Sequence, residues 1–367
     1  MTTNHTISDI LQRPLNVAVF SYNSKDDACG YLRIHAPLTA DSTGLRDMWG
    51  LRHKRFAFIR MTLIDEKLLD SADLVVIQRT FPRERTRAFL NKIIASGLPV
   101  IYETDDLLTN VPGDNSYMKR LVQKRDDIID FIGRVHAVTV STECLRDNLL
   151  QYHDNITVLP NLIDENLWRT DGRLNRQGPI VIGFAGGKSH KNDLSLIEDA
   201  LLAISAKYKQ DVAFLFIGCI SERLARLPNS RFIGFTSSYA DYARLMRTAS
   251  IDIGLAPLEN NLFNNCKSNI KWLEYSACGI AGVFSDLPPY NRCIEHGETG
   301  LLVGPAPEDW INAIDSLISA PEKMLRIGSQ ARDKVLAEYT LAKNASLFTE
   351  AYTSLASKCN DSQGNRQ

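Results

Sequence analysis

No apolar run in this chain approaches the roughly 18–20 residues needed to cross a membrane as a helix. Its seven cysteines include no CxxC pair and no spacing suited to metal ligation, so neither a zinc site nor a dithiol redox centre is expected. Neither sign of charge dominates: a net charge of −1 over 367 residues removes bulk charge as a pointer to nucleic acid or to a membrane. The GxGxxG fingerprint is missing, which weighs against an NAD enzyme. The opening residues MTTNHTISDI lack the basic start and apolar core of a signal peptide. Cys219 and Cys278 lie inside apolar stretches, where a thiol packs as a small core residue. A reduced, cytoplasmic protein is the expectation.

What is present is ordinary for a globular chain, 44% hydrophobic and 23% charged, and long enough for about two domains. Short runs rich in Val, Ile and Phe recur at 15–21, 74–77, 100–102, 137–140 and 156–159. They return at 180–185, 213–218, 231–235, 251–255 and 280–284. Helical periods fall between them, including 115–132, 194–207, 239–249 and 269–278. Continuous apolar strands alternating with helices predict parallel sheets covered on both faces, hence two doubly wound α/β domains. The polar stretch 161–179 marks the seam. The expected division is an acceptor-side Rossmann-like domain over 1–165 and a second one over 166–340. A helix over 341–357 is expected to pack back on the first domain, ahead of a frayed polar tail at 358–367.

In such sheets ligands gather at the carboxyl ends of the strands, so the residues just past each strand are the candidates. After 180–185 come Gly186, Gly187, Lys188 and Lys191; paired glycines let N–H groups approach an anion, and the lysines add charge. An ordinary strand-to-helix turn remains the alternative. In CKSNIKWLEYSACGIAGVFSD, Lys267, Lys271 and Glu274 recur at i, i+4 and i+7 and share a helix face. With Ser268 as the N-terminal cap, this reads as a nucleotide-diphosphate site: cation and N–H groups for phosphates, carboxylate for a vicinal diol. A solvated Lys–Glu helix face before a core strand is the other reading. Glu103-Thr104-Asp105-Asp106 follows the strand at 100–102, where Asp105 is a catalytic, capping or acceptor-contacting carboxylate. Gly30-Tyr31-Leu32-Arg33 reads as a second flexible loop near the ligand. His35, His53, His136, His153, His190 and His296 stand isolated, and no metal set assembles around them. Two stretches are locally basic: 46–60, with Arg52, His53, Lys54 and Arg55, and the run Arg79, Arg83, Arg85, Arg87. They read as solvated helix faces, or as places where an anionic lipid surface or a phosphate-bearing substrate would touch.

These segments resemble a known family. GFAGGKSHKNDLSLI at 183–197, FLFIGC at 214–219, RFIGF at 231–235, IDIGLAPL at 251–258, KWLEYSACGIAGVFSD at 271–286 and IEHGETGLLV at 294–303 are similar, in order and spacing, to the nucleotide-sugar domain of GT-B glycosyltransferases. The likeness is to the family-4 type, glycosyl transferases group 1, and within it to bacterial surface-polysaccharide enzymes. DLVVIQR, LPVIYETDDL, VTVSTECL and VLPNLID resemble the acceptor domain more weakly.

The resemblance implies a GT-B fold and glycosyl transfer from a nucleotide diphosphate sugar, retaining and metal-independent, with no cofactor required. The acceptor it implies is a glycan, a lipid-linked glycan or a protein, not nucleic acid. It matches Glu274 to the second Glu of an E-x7-E motif, which meets the ribose, and Lys267 to a diphosphate contact. Gly186 and Gly187 match the phosphate-covering loop, Lys191 a basic position, and Phe235 the loop beside the base. Asp105 stands where many relatives carry His. The first Glu of the motif is replaced by Cys266, with Asn264, Asn265, Ser268 and Asn269 as candidates for its work. A nucleotide-sugar epimerase and a non-catalytic partner subunit are the alternatives.

Overall fold

The computed structural model describes residues 14–40, 44–56, 59–113, 116–168 and 178–364, with the side chains of 52–62, 116–118 and 358–364 outside the description. The chain divides into two compact units. Unit 1 comprises Met1–Asn161 and Leu341–Gln367, and unit 2 comprises Leu162–Thr340.

Unit 1 is built on a parallel sheet of β1 (Leu15–Phe20), β2 (Leu45–Trp49), β5 (Leu74–Gln78), β6 (Val100–Thr104), β7 (Ala137–Val140) and β8 (Ile156–Val158), in the order β2-β1-β5-β6-β7-β8. The central strands are buried along their whole length: every residue of β5, β6 and β7 is inside. That is why they read as unbroken apolar runs rather than as alternation. Between β2 and β5 the chain forms an antiparallel hairpin, β3 (Leu51–Phe56) with β4 (Ile59–Ile64), paired from Leu51 with Ile64 to Phe56 with Ile59. The basic stretch over 46–60 is therefore strand and hairpin, not a helix face. Its alternation is hidden in composition because Arg and Lys share the strands with Leu, Phe and Ile.

Unit 2 repeats the plan with β9 (Ile180–Ala185), β10 (Val212–Ile217), β11 (Ser230–Ile233), β12 (Ile253–Ala256), β13 (Ala281–Ser285) and β14 (Leu301–Val303), in the order β11-β10-β9-β12-β13-β14. Ile182, Phe184, Phe214, Phe216 and Val283 from its strands form one core with Leu201 and Ile204 of the helix Glu198–Tyr208 and Trp310, Ile314 and Leu317 of Pro307–Ile318. The helical stretch expected over 194–207 is interrupted at Leu196 and Ile197, between Lys191–Ser195 and Glu198–Tyr208. That over 115–132 is likewise two helices, Ser116–Val122 and Arg125–Ile132. The last helix, Leu341–Gly364, packs in unit 1 against Ala36–Thr39 and continues past Lys358.

In each unit the chain builds outward on one side of its first strand, then returns to build on the other. The order reverses between β1 and β5 in unit 1 and between β9 and β12 in unit 2. At such a switch point the loops leaving two neighbouring strands diverge and open a crevice at their carboxyl ends.

Candidate active site

At the unit 2 switch point, β9 runs into Gly186 and Gly187, then a 3-10 turn Lys188–His190 and the helix Lys191–Ser195. The loop is tied to the neighbouring strand by Gly186 N–H donating to the Ile217 carbonyl at 3.0 Å. Gly218, at φ +89°, lies so close that a Cβ there would collide with the Gly186 carbonyl oxygen. Lys188 and Lys191 are exposed. Phe235 is 80% exposed, and its ring borders the glycine loop: a Cβ on Gly187 would meet it at 3.3 Å. An aromatic face left open beside a glycine loop suits stacking by a planar base.

The loops from the two switch-point strands are stapled by a buried carboxylate that the residue pattern did not single out. Asp193 accepts from the Glu259 N–H at 2.8 Å and the Asn264 Nδ2 at 3.0 Å, and its other oxygen meets His190 Nδ1 at 2.8 Å. His190 is therefore not isolated. Burial first, and then repulsion from Lys267, hold its pKa below the ordinary 6.5 despite the Asp193 partner, so the ring is neutral at pH 7. Burial alone would raise Asp193, but the His190 contact, Lys267 and the Glu259 N–H outweigh it and keep the carboxyl ionised. These couplings place Lys267 beside the His190–Asp193 pair; its ammonium also lies 5.3 Å from the Phe263 ring centre. The i, i+3 spacing of His190 and Asp193 was the available signal.

The helix carrying Glu274 spans Ile270–Ala277. Its N-cap is Asn269, whose side chain makes no capping hydrogen bond, and this corrects the expectation of Ser268 at that position. Glu274 lies inside, its side chain 3% exposed, as an acceptor for three donors. Tyr239 OH donates to Oε1 at 3.1 Å; Tyr242 OH and Lys271 Nζ donate to Oε2 at 2.9 and 2.7 Å. Both tyrosines lie on the helix Tyr239–Thr248, whose start is capped by Ser238, and they pack on Trp168 at 5.8 and 5.9 Å between ring centres. Burial, then the neighbouring Glu274 charge, pushes the Tyr242 phenol well up, so it remains a donor. A carboxylate has about four lone-pair positions; three are taken here, which leaves one on Oε1. The three donors hold the Glu274 side chain in place.

Cys266 is wholly buried and sits where the short helix Leu262–Asn265 ends. Asn264 is committed to Asp193 and the Glu259 carbonyl. Asn265 keeps a buried Oδ1 without a partner, while its amide donates to Asn260 at 3.0 Å.

In unit 1, Asp105 and Asp106 follow β6 and both pair with Arg79, Asp106 at 2.7 Å. Arg79 itself holds φ +50°, a left-handed conformation costing about 1–3 kcal/mol for a side-chain-bearing residue. The segment read as a flexible loop is instead helical: Ala28–Gly30, a π-helical turn Tyr31–His35, then Ala36–Thr39. Arg33 on that turn is fully buried. It donates to Glu103 Oε1 at 2.8 Å, to the Leu159 carbonyl at 2.6 Å and to Asn161 Oδ1 at 3.0 Å. Gln78 and Ser21 extend the network: Gln78 Nε2 reaches Glu103 Oε2 at 2.9 Å, and Ser21 Oγ reaches Gln78 Oε1 at 2.6 Å. The arginines and histidine of 52–55 have side chains outside the described residues. Among the described residues no group of three or more His, Cys, Asp or Glu is placed to hold a metal.

Two doubly wound parallel sheets are the architecture of the GT-B fold. Residues 179–320 match the model of the glycosyl transferases group 1 family. Among curated proteins the chain is similar to the "Putative teichuronic acid biosynthesis glycosyltransferase TuaH" of Bacillus subtilis, 24% identical over 243 residues, 60% of this chain. It spans 58% of that relative's length. Among solved structures, Anabaena Alr3699/HepE in complex with UDP and glucose superposes at a TM-score of 0.64 and 15% identity, over 93% of this chain and all of the other. Sucrose-phosphate synthase from Thermosynechococcus elongatus does so at 0.63 and 14%, over 94% and 100%. At these identities the likeness to the solved structures is one of fold.

Proposed function

We propose that the protein is a glycosyltransferase that moves a sugar from a nucleotide diphosphate sugar to an acceptor hydroxyl in surface-glycan synthesis, with retention and without a metal. The observation that carries this is the unit 2 switch point. A two-glycine loop, the helix start at Asn269 and Lys267 converge there, beside the open ring of Phe235. The similarity to a teichuronic acid glycosyltransferase, and the complex of the Anabaena protein with UDP and glucose, support a nucleotide sugar as donor.

In this reading the base stacks on Phe235, and the one open position on Glu274 Oε1 accepts a ribose hydroxyl. The diphosphate lies on the N–H groups of Gly187 and the helix start, with Lys267, Lys188 and Lys191 around it, while the Gly186 N–H, held by the Ile217 carbonyl, fixes the shape of the loop. Ser268, Asn269 and Lys271 line the approach. The transition state resembles an oxocarbenium ion with a departing diphosphate, so stabilising that leaving charge is the main catalytic demand. The bond from C1 to the phosphate oxygen breaks as the acceptor oxygen bonds C1, and the leaving phosphate takes the acceptor's proton. Asp105 is already neutralised by Arg79, which suits it to orienting substrate rather than to removing a proton.

The test is a thermal-shift panel of nucleotides and nucleotide sugars with and without EDTA, followed by product analysis with and without acceptors. One nucleotide diphosphate should raise Tm selectively, EDTA should change nothing, and sugar should appear only on an acceptor. Turnover without an acceptor would instead identify an epimerase. Lys267→Ala should lower transfer by about 10²–10³-fold with little change in Tm. Near-normal turnover in that variant sinks the site assignment.

A further inference from the structure

The switch point of unit 1, between β1 and β5, carries a cluster that glycosyl transfer from unit 2 does not explain. Tyr22 lies two residues past β1; Arg83 and Arg85 lie in the turn beyond β5. The guanidinium of Arg83 sits 3.5 Å from the centre of the Tyr22 ring, and its Nε and Nη2 donate to the Thr80 carbonyl at 3.1 and 2.8 Å. The guanidinium of Arg85 sits 5.0 Å from the same ring centre, and its Nε donates to the Tyr22 hydroxyl at 3.1 Å. Phe81, wholly buried, backs Tyr22 at 5.4 Å. Thr86 bonds back to the Phe81 carbonyl at 2.6 Å and so holds the turn.

Both forks are thereby oriented with donors to spare: Nη1 on Arg83, and Nη1 and Nη2 on Arg85. Lys124 and Arg120 add charge from the adjoining helical segment; Lys124 is depressed by burial and by repulsion from Arg83, Arg85 and Arg120. Among the described residues none of these four cations forms an ion pair. Their neighbours differ, since Arg79 is neutralised by Asp105 and Asp106, and Arg87 by Asp127 at 2.6 Å. Keeping like charges together with no paired carboxylate is unfavourable unless a counter-charge arrives.

We propose that this cluster binds an anionic acceptor, a glycan carrying phosphate or carboxylate groups, whose oxyanions are gripped by Arg83 and Arg85. The inference rests on the glycosyl-transfer reading for the word acceptor, but the site stands on its own residues. Arginine forks fixed by a ring and a carbonyl recognise a planar or tetrahedral oxyanion in one orientation. A lipid surface is attracted by charge alone and gains nothing from such fixing. The place is also that of a ligand, at strand ends in the crevice, rather than on an outward helix face.

The test uses the full chain and three labelled hexamers: galacturonate, glycerol phosphate and neutral maltohexaose. Each is titrated by anisotropy at about 50 and 300 mM salt. At least one anionic hexamer should bind and maltohexaose should not, and the one that binds distinguishes carboxylate from phosphate. Arg83→Gln/Arg85→Gln should weaken that binding about tenfold or more and flatten its salt dependence. Lys92→Gln/Arg134→Gln, which removes the same charge elsewhere on unit 1, should change it little. Because Arg85 is exposed, Arg85→Gln alone gives a smaller loss in a variant that folds.

Equal binding of the neutral hexamer, no binding of either anionic one, or an unchanged double variant overturns the proposal. So does arginine-dependent capture by phosphatidylglycerol vesicles when neither glycan binds. The nucleotide thermal shift is read on the same samples. A missing shift with intact glycan binding would count against the transferase reading, not against this site.

Discussion

The two switch points of this molecule have one topology and opposite chemistry. In unit 2 the strand-end loops are thin and backbone-rich: Gly186, Gly187 and Gly218 carry no side chain there, and the charged side chains are the exposed Lys188 and Lys191 at the rim, the half-buried Lys267 and Lys271, and the buried Asp193 and Glu274. In unit 1 the corresponding loops present side chains: Tyr22, Arg83 and Arg85 are fixed against one another, and the Arg33–Glu103 pair is buried in the same unit. A peptide N–H surface suits a small, constant group such as a diphosphate. A surface of long side chains suits a variable, charged one. The same sheet order therefore does not impose one ligand; the residues of two loops decide it.

The largest break in this comparison comes from Arg33→Met. The pair is 0% and 1% exposed, so removing one member strands the Glu103 charge and should cost about 3–5 kcal/mol in denaturant unfolding. Arg33→Met/Glu103→Met should recover most of that loss; failure to recover would mean that the pair does more than neutralise itself. Next is Gly218→Ala. At φ +89° and against the Gly186 carbonyl it should cost about 1–3 kcal/mol and raise the donor KM while sparing anionic-glycan binding by unit 1. Loss of both activities together would show that the two sites are not separable.

The smallest effect concerns pH. The folded-state pKa of His190 lies below its ordinary 6.5, so the unfolded chain takes up the proton first. Its stabilising contribution is present above about pH 6.5 and is lost as pH falls toward and through the depressed value. His190→Gln should flatten the fall in Tm between about pH 7 and pH 5.5 by a degree or two. An unchanged slope would assign the acid sensitivity to other groups.

Legibility in the sequence followed the distance over which each interaction acts. The span of β9 is the apolar run at 180–185, because buried parallel strands need continuous apolar residues. A reversal of strand order is implied by the doubly wound reading, but the strand that returns beside the first is not visible, since no local pattern states it. The glycine turn after β9 and the helix carrying Lys271 and Glu274 were legible from spacing, whereas Lys267, expected on the same helix face, precedes a helix that begins at Ile270. Tyr239 and Tyr242 were not, because their partner lies 35 and 32 residues away in sequence. The same holds for Arg33, whose partner Glu103 is 70 residues away. The Tyr pair does carry an i, i+3 signature, but a shared helix face does not reveal what it faces. The hairpin over 51–64 was masked by its basic composition.

The helix Leu341–Gly364 has a consequence for biosynthesis. It buries Phe348 and Tyr352 completely within unit 1, although all of unit 2 is translated before it. During vectorial synthesis the first unit to emerge from the ribosome is thus the last to be closed, and unit 2 can complete its core while unit 1 still waits for a segment some 180 residues downstream.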